Sequence, residues 1–532
     1  MKTIASAIFA VPLALGLLST ANAQDLTIGL ASEPTSIDPH FHNVGQNNAL
    51  RRQIFEGLVA TDESQKLVPS LAQSWKALDD TTWEFKLRPN VRFSNGNSLT
   101  ATDFIYTLCR IPTVANSPSS FTVFTRGIAS IETPDPLIVH VKTTTPQPLF
   151  PTNMTTLGIL SAKLFGGENV KYNASGCENL GSPPNSADFN SPDKAIGTGP
   201  YKLKEYMRGT HVILEQNPQY WGTKPLWNEV VLRPITSAGP RVAALLAGDV
   251  DMIENPPIHD FDKIKNSGFN VVQGLSNRVI YIHMDSFSDK TPGVKGSEKN
   301  PFKDKRVREA LSHAVNRDAI VERIMGKVAV TAGELLPYPL FGTRKDAKPV
   351  SYDPDIARKL LAEAGYPDGF ELVLGSPNDR YINDEQVAQA VAQMFTRVGV
   401  KTTVDAMTAS TFFGRRNKYE FSAYLAGWGA DSGEMSNPLT ALVLTPNKET
   451  GAGSTNYGRY SNKELDDLVA QAKSTINDGE REELLRKASV VLEEDYGIIP
   501  LHFEVTPWAL RKGLAYAPRM DQYTLAPEVQ AE

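Results

Sequence analysis

Between Phe370 and Val404 an apolar run, an amphipathic stretch and a second apolar run follow one another, and this unit constrains the fold more than any other segment. Phe370-Glu371-Leu372-Val373-Leu374 reads as extended. Val387, Val391, Met394, Phe395 and Val398 mark one face of a helix that stops at Gly399, and Val400 to Val404 is extended again. A strand, helix, strand unit favours parallel strands joined by a right-handed crossover, which places the chain in the α/β class. In open α/β sheets, ligands bind beyond the carboxyl ends of the strands. Two such ends are charged here: the segment Gly375 to Tyr381, which contains Arg380, and the segment Gly427 to Asp431.

The second of these lies within Phe421 to Pro438, an apolar strand expected to end at Ala426 followed by a Gly-rich loop with one ring, Trp428, and one carboxylate, Asp431. Gly427, Gly429 and Gly433 suit a backbone that approaches a ligand closely in conformations other residues avoid. A buried zwitterion needs one anion and one cation around it, because an unpaired buried charge is costly. Asp431 and Arg380 supply the two signs. On spacing alone each also fits a bland role, Asp431 capping a turn and Arg380 solvated in a loop. Trp428 equally suits packing against a ligand or filling a core.

A chain of 532 residues exceeds one hydrophobic core, and about one domain per 150 residues suggests three packed units. Lys2, the apolar run Ile4 to Leu18 and Ala21-Asn22-Ala23 match a secretory signal over residues 1 to 23, so the mature chain is expected to begin at Gln24. The apolar run is too short to span a bilayer, and no cysteine follows the cleavage site to carry a lipid. Without Lys2 there are 53 basic against 60 acidic side chains, a net charge of −7 that argues against nucleic acid as a partner. Cys109 and Cys177 could pair in an oxidising compartment; sequence leaves the matter open. His40 and His42 form a His-x-His pair without a third placed ligand, so a surface loop and no metal are expected.

Further elements follow from local chemistry. Thr82 to Arg88 alternates apolar and charged residues as a half-buried strand does, Asn95-Gly96 marks a turn, and Thr100 with Asp103 has capping-box spacing ahead of a helix. Arg241 to Leu246 reads as a helix closed at Gly248, Asp353-Pro354 starts a helix that stops at Gly365, and Ser461 with Glu464 suggests another capping box. Residues 165 to 195, rich in Gly, Asn, Ser and Pro, suggest a long surface excursion near a domain crossing.

Several of these strings together resemble the family 5 solute-binding proteins, the oligopeptide- and dipeptide-binding components of bacterial ABC importers. The resemblance is carried by Phe55-Glu56-Gly57-Leu58, Ser74-Trp75, and Phe85 to Arg88 with Val91-Arg92-Phe93. It continues through Leu99 to Phe104, Gly197 to Tyr201, Asn217 to Trp221, and Arg306 to Leu311 with Ala314 to Arg317. It covers nearly the whole mature chain. It implies a type II-like, two-lobed periplasmic binding protein with mixed sheets and a cleft closed by a hinge. It places domain I at 24–66, 192–282 and 505–532, domain II at 67–191, and domain III at 283–504.

The implied function is periplasmic capture of short peptides and their delivery to inner-membrane ABC permease subunits, by a monomer that is neither membrane-embedded nor cofactor-dependent. Gly427-Trp428-Gly429-Ala430-Asp431 matches the family loop whose Asp receives a peptide's α-amino group, which gives that role to Asp431. Arg380 lies where dipeptide binders hold the ligand's carboxylate. The pattern departs at Glu434, which is followed by Met435 where the peptide binders have Pro; here Pro comes at 438. Resembling proteins also take nickel chelates, haem, opines or oligosaccharides. A secreted hydrolase is the alternative from another class, but no nucleophile elbow, metalloprotease helix, phosphate loop or Cys-x-x-Cys is present, and a non-enzyme is expected.

Overall fold

In the computed structural model the 15-residue strand Asn270–Met284 sends alternate side chains to opposite faces. Ile280, Ile282 and Met284 join one hydrophobic core with the helices Lys305–Ala314 and Asp384–Arg397, while Val279 and Tyr281 join another with Lys463–Ala472 and Asp478–Asp495. The sheet is therefore buried on both faces at this strand, which runs antiparallel to both of its neighbours. The structure describes residues 25–173 and 176–532; the expected signal segment and the start at Gln24 lie outside the described residues.

The unit at 370–404 forms as its periodicity predicts. Phe370–Pro377 and Val400–Met407 pair in parallel with Phe370 opposite Val400, and Asp384–Arg397 crosses between them. Both strands run three residues beyond the apolar runs that announced them. Thr100 and Asp103 form the capping box on Ala101–Arg110, and Gly248 closes Ala238–Ala247 at φ +79°. Asp353 caps Pro354–Glu363 by accepting from the N–H groups of Asp355 and Ile356. The box at Ser461 does not form: Asn462 caps Lys463–Ala472 instead, accepting from Glu464 and Leu465, since its amide oxygen lies one residue nearer the first turn.

Twelve strands form one mixed sheet that runs through both lobes. In the first lobe Leu26–Leu30 lies parallel to Glu229–Pro234 and Met252–Glu254 over a core containing Ile28, Trp227 and Trp508. A separate four-stranded antiparallel sheet, in the order Ala72–Asp79, Thr82–Leu87, Ile138–Thr143, Ile128–Asp135, packs Phe85 and Val139 against Phe104 and Phe150. The lobes are joined through Asn270–Met284 and Ile499–Leu510, which pair from Asn270 opposite Leu510 to Leu275 opposite Val505 and resume with Val279 opposite Phe503. The slip isolates Ser276, Asn277 and Arg278 from the ladder, and Ser276 Oγ donates instead to the Glu504 carbonyl at 2.9 Å. Bulges bend strands and loosen pairing locally, and this one interrupts the ladder in the connection between the lobes.

Cys109, on Ala101–Arg110, is bonded to Cys177 with Cα atoms 5.7 Å apart, which ties the 165–195 excursion to the first lobe. His40 does not lie on the surface. It is fully buried, edge-on to Phe121, and burial beside the Arg110 guanidinium lowers its pKa to about 3, so the ring stays neutral. The cause is its neighbour Asp38, which is buried and binds Arg110 through two contacts at 2.6 and 2.7 Å, pulling the loop inward. Among the described residues no group of three or more His, Cys, Asp or Glu could hold a metal, and no helix is long and apolar enough to cross a membrane.

Candidate functional site

The strand Ala423–Gly429 is paired along its whole length on one side, from Met284 opposite Ala423 to Arg278 opposite Gly429. On its other side Phe370–Pro377 pairs only with Ala423 and Tyr424. Beyond Tyr424 that edge is without a strand partner among the described residues, and Tyr381 Oη donating to the Gly427 carbonyl at 3.1 Å is its one cross-contact there. The strand thus continues three residues past Ala426. Gly427 and Gly429 are extended, and only Gly433 takes a positive φ, +64°. What the first two glycines provide is room: a Cβ on Gly427 would sit 2.7 Å from Ile280 Cδ1 and 2.8 Å from Tyr381 Cε1, and one on Gly429 3.1 Å from Arg278 Nη2.

This free edge borders a cavity of about 660 Å³ between the lobes, within the roughly 300–1,000 Å³ usual for small-ligand sites. All four residues singled out from sequence, Gly427, Trp428, Asp431 and Arg380, line it. Asp431 follows the strand end. Its side chain is open to the solvent-filled cleft, and its carboxylate accepts no hydrogen bond among the described residues. The surrounding protein nevertheless desolvates it and raises its pKa, with Asp521 adding to the rise and Arg278 and Arg52 opposing it.

The loop is held from the opposite lobe. Gln65 Nε2 donates to the Asp431 carbonyl at 3.2 Å, and Asn277 Nδ2 donates to Gln65 Oε1 at 2.9 Å and to the Ala430 carbonyl at 3.0 Å. Asn277 lies in the bulge between lobes, so the joint and the loop share hydrogen bonds. Glu434 is buried behind the loop, facing Arg481 at 3.3 Å and accepting from Ser436 at 2.7 Å, which explains why the departure from the family pattern there leaves the cavity wall intact.

Arg380 is exposed in the cleft, its guanidinium 5.4 Å from the Tyr381 ring and without an ion pair among the described residues. Its backbone is fixed because Asp384, in the first turn of Asp384–Arg397, accepts from the N–H groups of Arg380 and Tyr381 at 2.9 and 3.0 Å. Trp428 is half-buried and donates from Nε1 to Asn437 at 2.8 Å, so it is both a packing residue and part of the cavity wall. Sequence reasoning missed Gln65, Asn277 and Arg416. Gln65 stands in a polar turn and Asn277 in a strand bulge, neither with a periodic signal, and Arg416 ends a short helix whose contacts exist only once the chain is folded.

Several of the strings that carried the resemblance meet elsewhere, within the first lobe, while Arg306 to Arg317 packs in the core of the second. Trp221 Nε1 donates to Glu56 at 2.8 Å, the Arg88 guanidinium lies 4.4 Å from the Trp221 ring, and Gly199 N donates to the Ile54 carbonyl at 2.9 Å. They join structural elements and do not line the cavity.

Two lobes built on one continuous mixed sheet, with a cavity between them, define the chain as a two-lobed binding protein. Residues 66–450 match the family described as bacterial extracellular solute-binding proteins, family 5 Middle. The chain belongs to the family 5 bacterial extracellular solute-binding proteins. It is 28% identical over 500 residues to the glutathione-binding protein GsiB of Escherichia coli (strain K12), covering 92% of this chain and 91% of that one. It is 29% identical over 517 residues to the periplasmic oligopeptide-binding protein OppA of Salmonella typhimurium (strain LT2), covering 92% and 89%. The solved Escherichia coli murein tripeptide-binding protein MppA superposes with a TM-score of 0.70 at 25% identity, over 96% of this chain and 99% of that one. The family and these relatives are binding proteins, not enzymes.

Proposed function

We propose that the protein captures short peptides in the periplasm as a monomer, without catalysis, and delivers them to the membrane subunits of an ABC importer. One observation carries this reading: the strand end Gly427 to Gly429, without a strand partner on one edge, lines the cavity and leads to Asp431, whose carboxylate has no hydrogen-bonded partner among the described residues. An extended peptide adds to such an edge through backbone hydrogen bonds, with its ammonium at Asp431 and, for a short ligand, its carboxylate at the planar fork of Arg380. Gly427 keeps the edge open, and Trp428 offers its ring to a ligand side chain. The names of the relatives, which include oligopeptide, murein tripeptide and glutathione binders, support a peptide over the other solutes the family takes.

The domain layout set out from the resemblance is part of this reading; two cores lie on either face of the second-lobe sheet, while in the first lobe the core around Ile28 and Trp227 also takes in Tyr106 and Phe165 from the proposed domain II. On this reading the lobes close by bending at Ser276 to Arg278. Calorimetry with a panel of di-, tri- and tetrapeptides tests the assignment. Binding should be measurable for the native protein and lost for Asp431→Ala; an affinity unchanged by that substitution would remove Asp431 from the site.

A further inference from the structure

The charged groups of the cleft sort into those that protein partners answer and those they leave open. Asp521 is held by Arg519 at 2.7 Å and Arg52 at 3.4 Å. Arg278 is held by Glu504 at 3.4 Å. Glu254 accepts from the Ala31 N–H at 2.8 Å and lies against Arg241. Asp431, Arg380 and Arg416 remain without an ion pair among the described residues, although all three line the cavity.

Arg416 is the most constrained of the three. It ends the helix Ala409–Arg416, and its guanidinium is pinned between two rings, 4.7 Å from the centre of Phe413 and 4.3 Å from that of Tyr457. Stacking fixes the plane of the group and leaves its N–H edge free. Among the described residues its five donors meet one acceptor, Asn417 Oδ1 at 3.3 Å, and its Nε is covered without a hydrogen-bond partner. Adjacent Arg415 shows the contrast, being neutralised by Asp405 at 2.7 Å and Glu420 at 2.9 Å. Tyr281, His283 and Tyr424 feel the Arg416 charge, and none of the three is anionic.

A plain zwitterionic peptide would answer Asp431 and Arg380 and leave Arg416 enclosed when the lobes close, at the cost of an unpaired cation away from water. Building on the peptide reading above, we infer that the site selects peptides carrying a second carboxylate, on a side chain, which Arg416 receives.

Calorimetry with Ala-Glu-Ala, Glu-Ala-Ala and Ala-Ala-Glu, each against its Gln counterpart, tests this without any variant. At least one Glu peptide should bind about tenfold or more tightly than its Gln twin, as a charge-assisted hydrogen bond implies. Arg416→Gln should bring that ratio near one, and Arg416→Lys should restore part of it. Equal affinity within every pair overturns this inference and leaves peptide capture standing, as does a ratio that survives Arg416→Gln. Failure of every peptide to bind overturns both.

Discussion

Asp431 is the residue whose titration the proposed function depends on most directly. Its carboxyl pKa is raised by burial, with Asp521 opposing ionisation further. A ligand ammonium needs the ionised form, so binding energy from this contact is fully present above the raised pKa and is lost as pH falls through it. Calorimetry from neutral to mildly acidic pH should show peptide affinity declining with acidity in the native protein. In Asp431→Asn the affinity should be weak at every pH and its slope absent. The stability sign is opposite: a raised carboxyl pKa makes the ionised folded form the costly one, so Asp431→Asn should unfold at a slightly higher temperature than the native protein when both are empty. Two of the residues in the proposed ligand grip were legible in the sequence because each announces itself locally, Asp431 in a Gly-rich loop and Arg380 after a strand. Arg416 does not: two rings meet it from separate places in the chain, one at 413 and one at 457.

Single elements were read best where backbone and side chain made the same demand. The 370–404 unit combines a strand period, a helix period and a Gly stop, and the Thr100–Asp103 box fixes both orphan donors of its helix start. The reading was poorer where neighbours with similar chemistry compete. Asn462 displaces Ser461 as cap, and the glycines at 427 and 429 open space for Tyr381, Ile280 and Arg278 without breaking the strand. The helix Ala101–Arg110 also carries a consequence of its own. Its Cys109 closes a covalent loop with Cys177, 68 residues on, and such a loop removes about 4 kcal/mol of unfolded-chain entropy. Cys177→Ala should therefore lower the unfolding temperature of the first lobe, visible as an earlier transition in calorimetry, while peptide affinity at low temperature stays unchanged because neither cysteine borders the cavity.

For the whole molecule the expected change on binding is rotation of two rigid lobes about Ser276 to Arg278. Small-angle scattering should record a smaller radius of gyration when a bound peptide is added, and an unchanged radius for Asp431→Ala under the same conditions; a native protein that binds peptide without contracting would count against closure. The two-lobed layout was legible because the family strings recur in order along nearly the whole chain. The contacts between lobes were not, since Gln65, Asn277 and Ala430 are distant in sequence and meet only after both cores have formed.

One consequence reaches beyond the cavity. The bulged strand at which the halves are proposed to swing also carries Asn277, whose amide grips the wall beside Asp431. Under the proposed closure, occupancy would be translated into posture, and a membrane partner spanning both halves could tell a loaded carrier from an empty one by its outline alone, with no need to inspect the cargo.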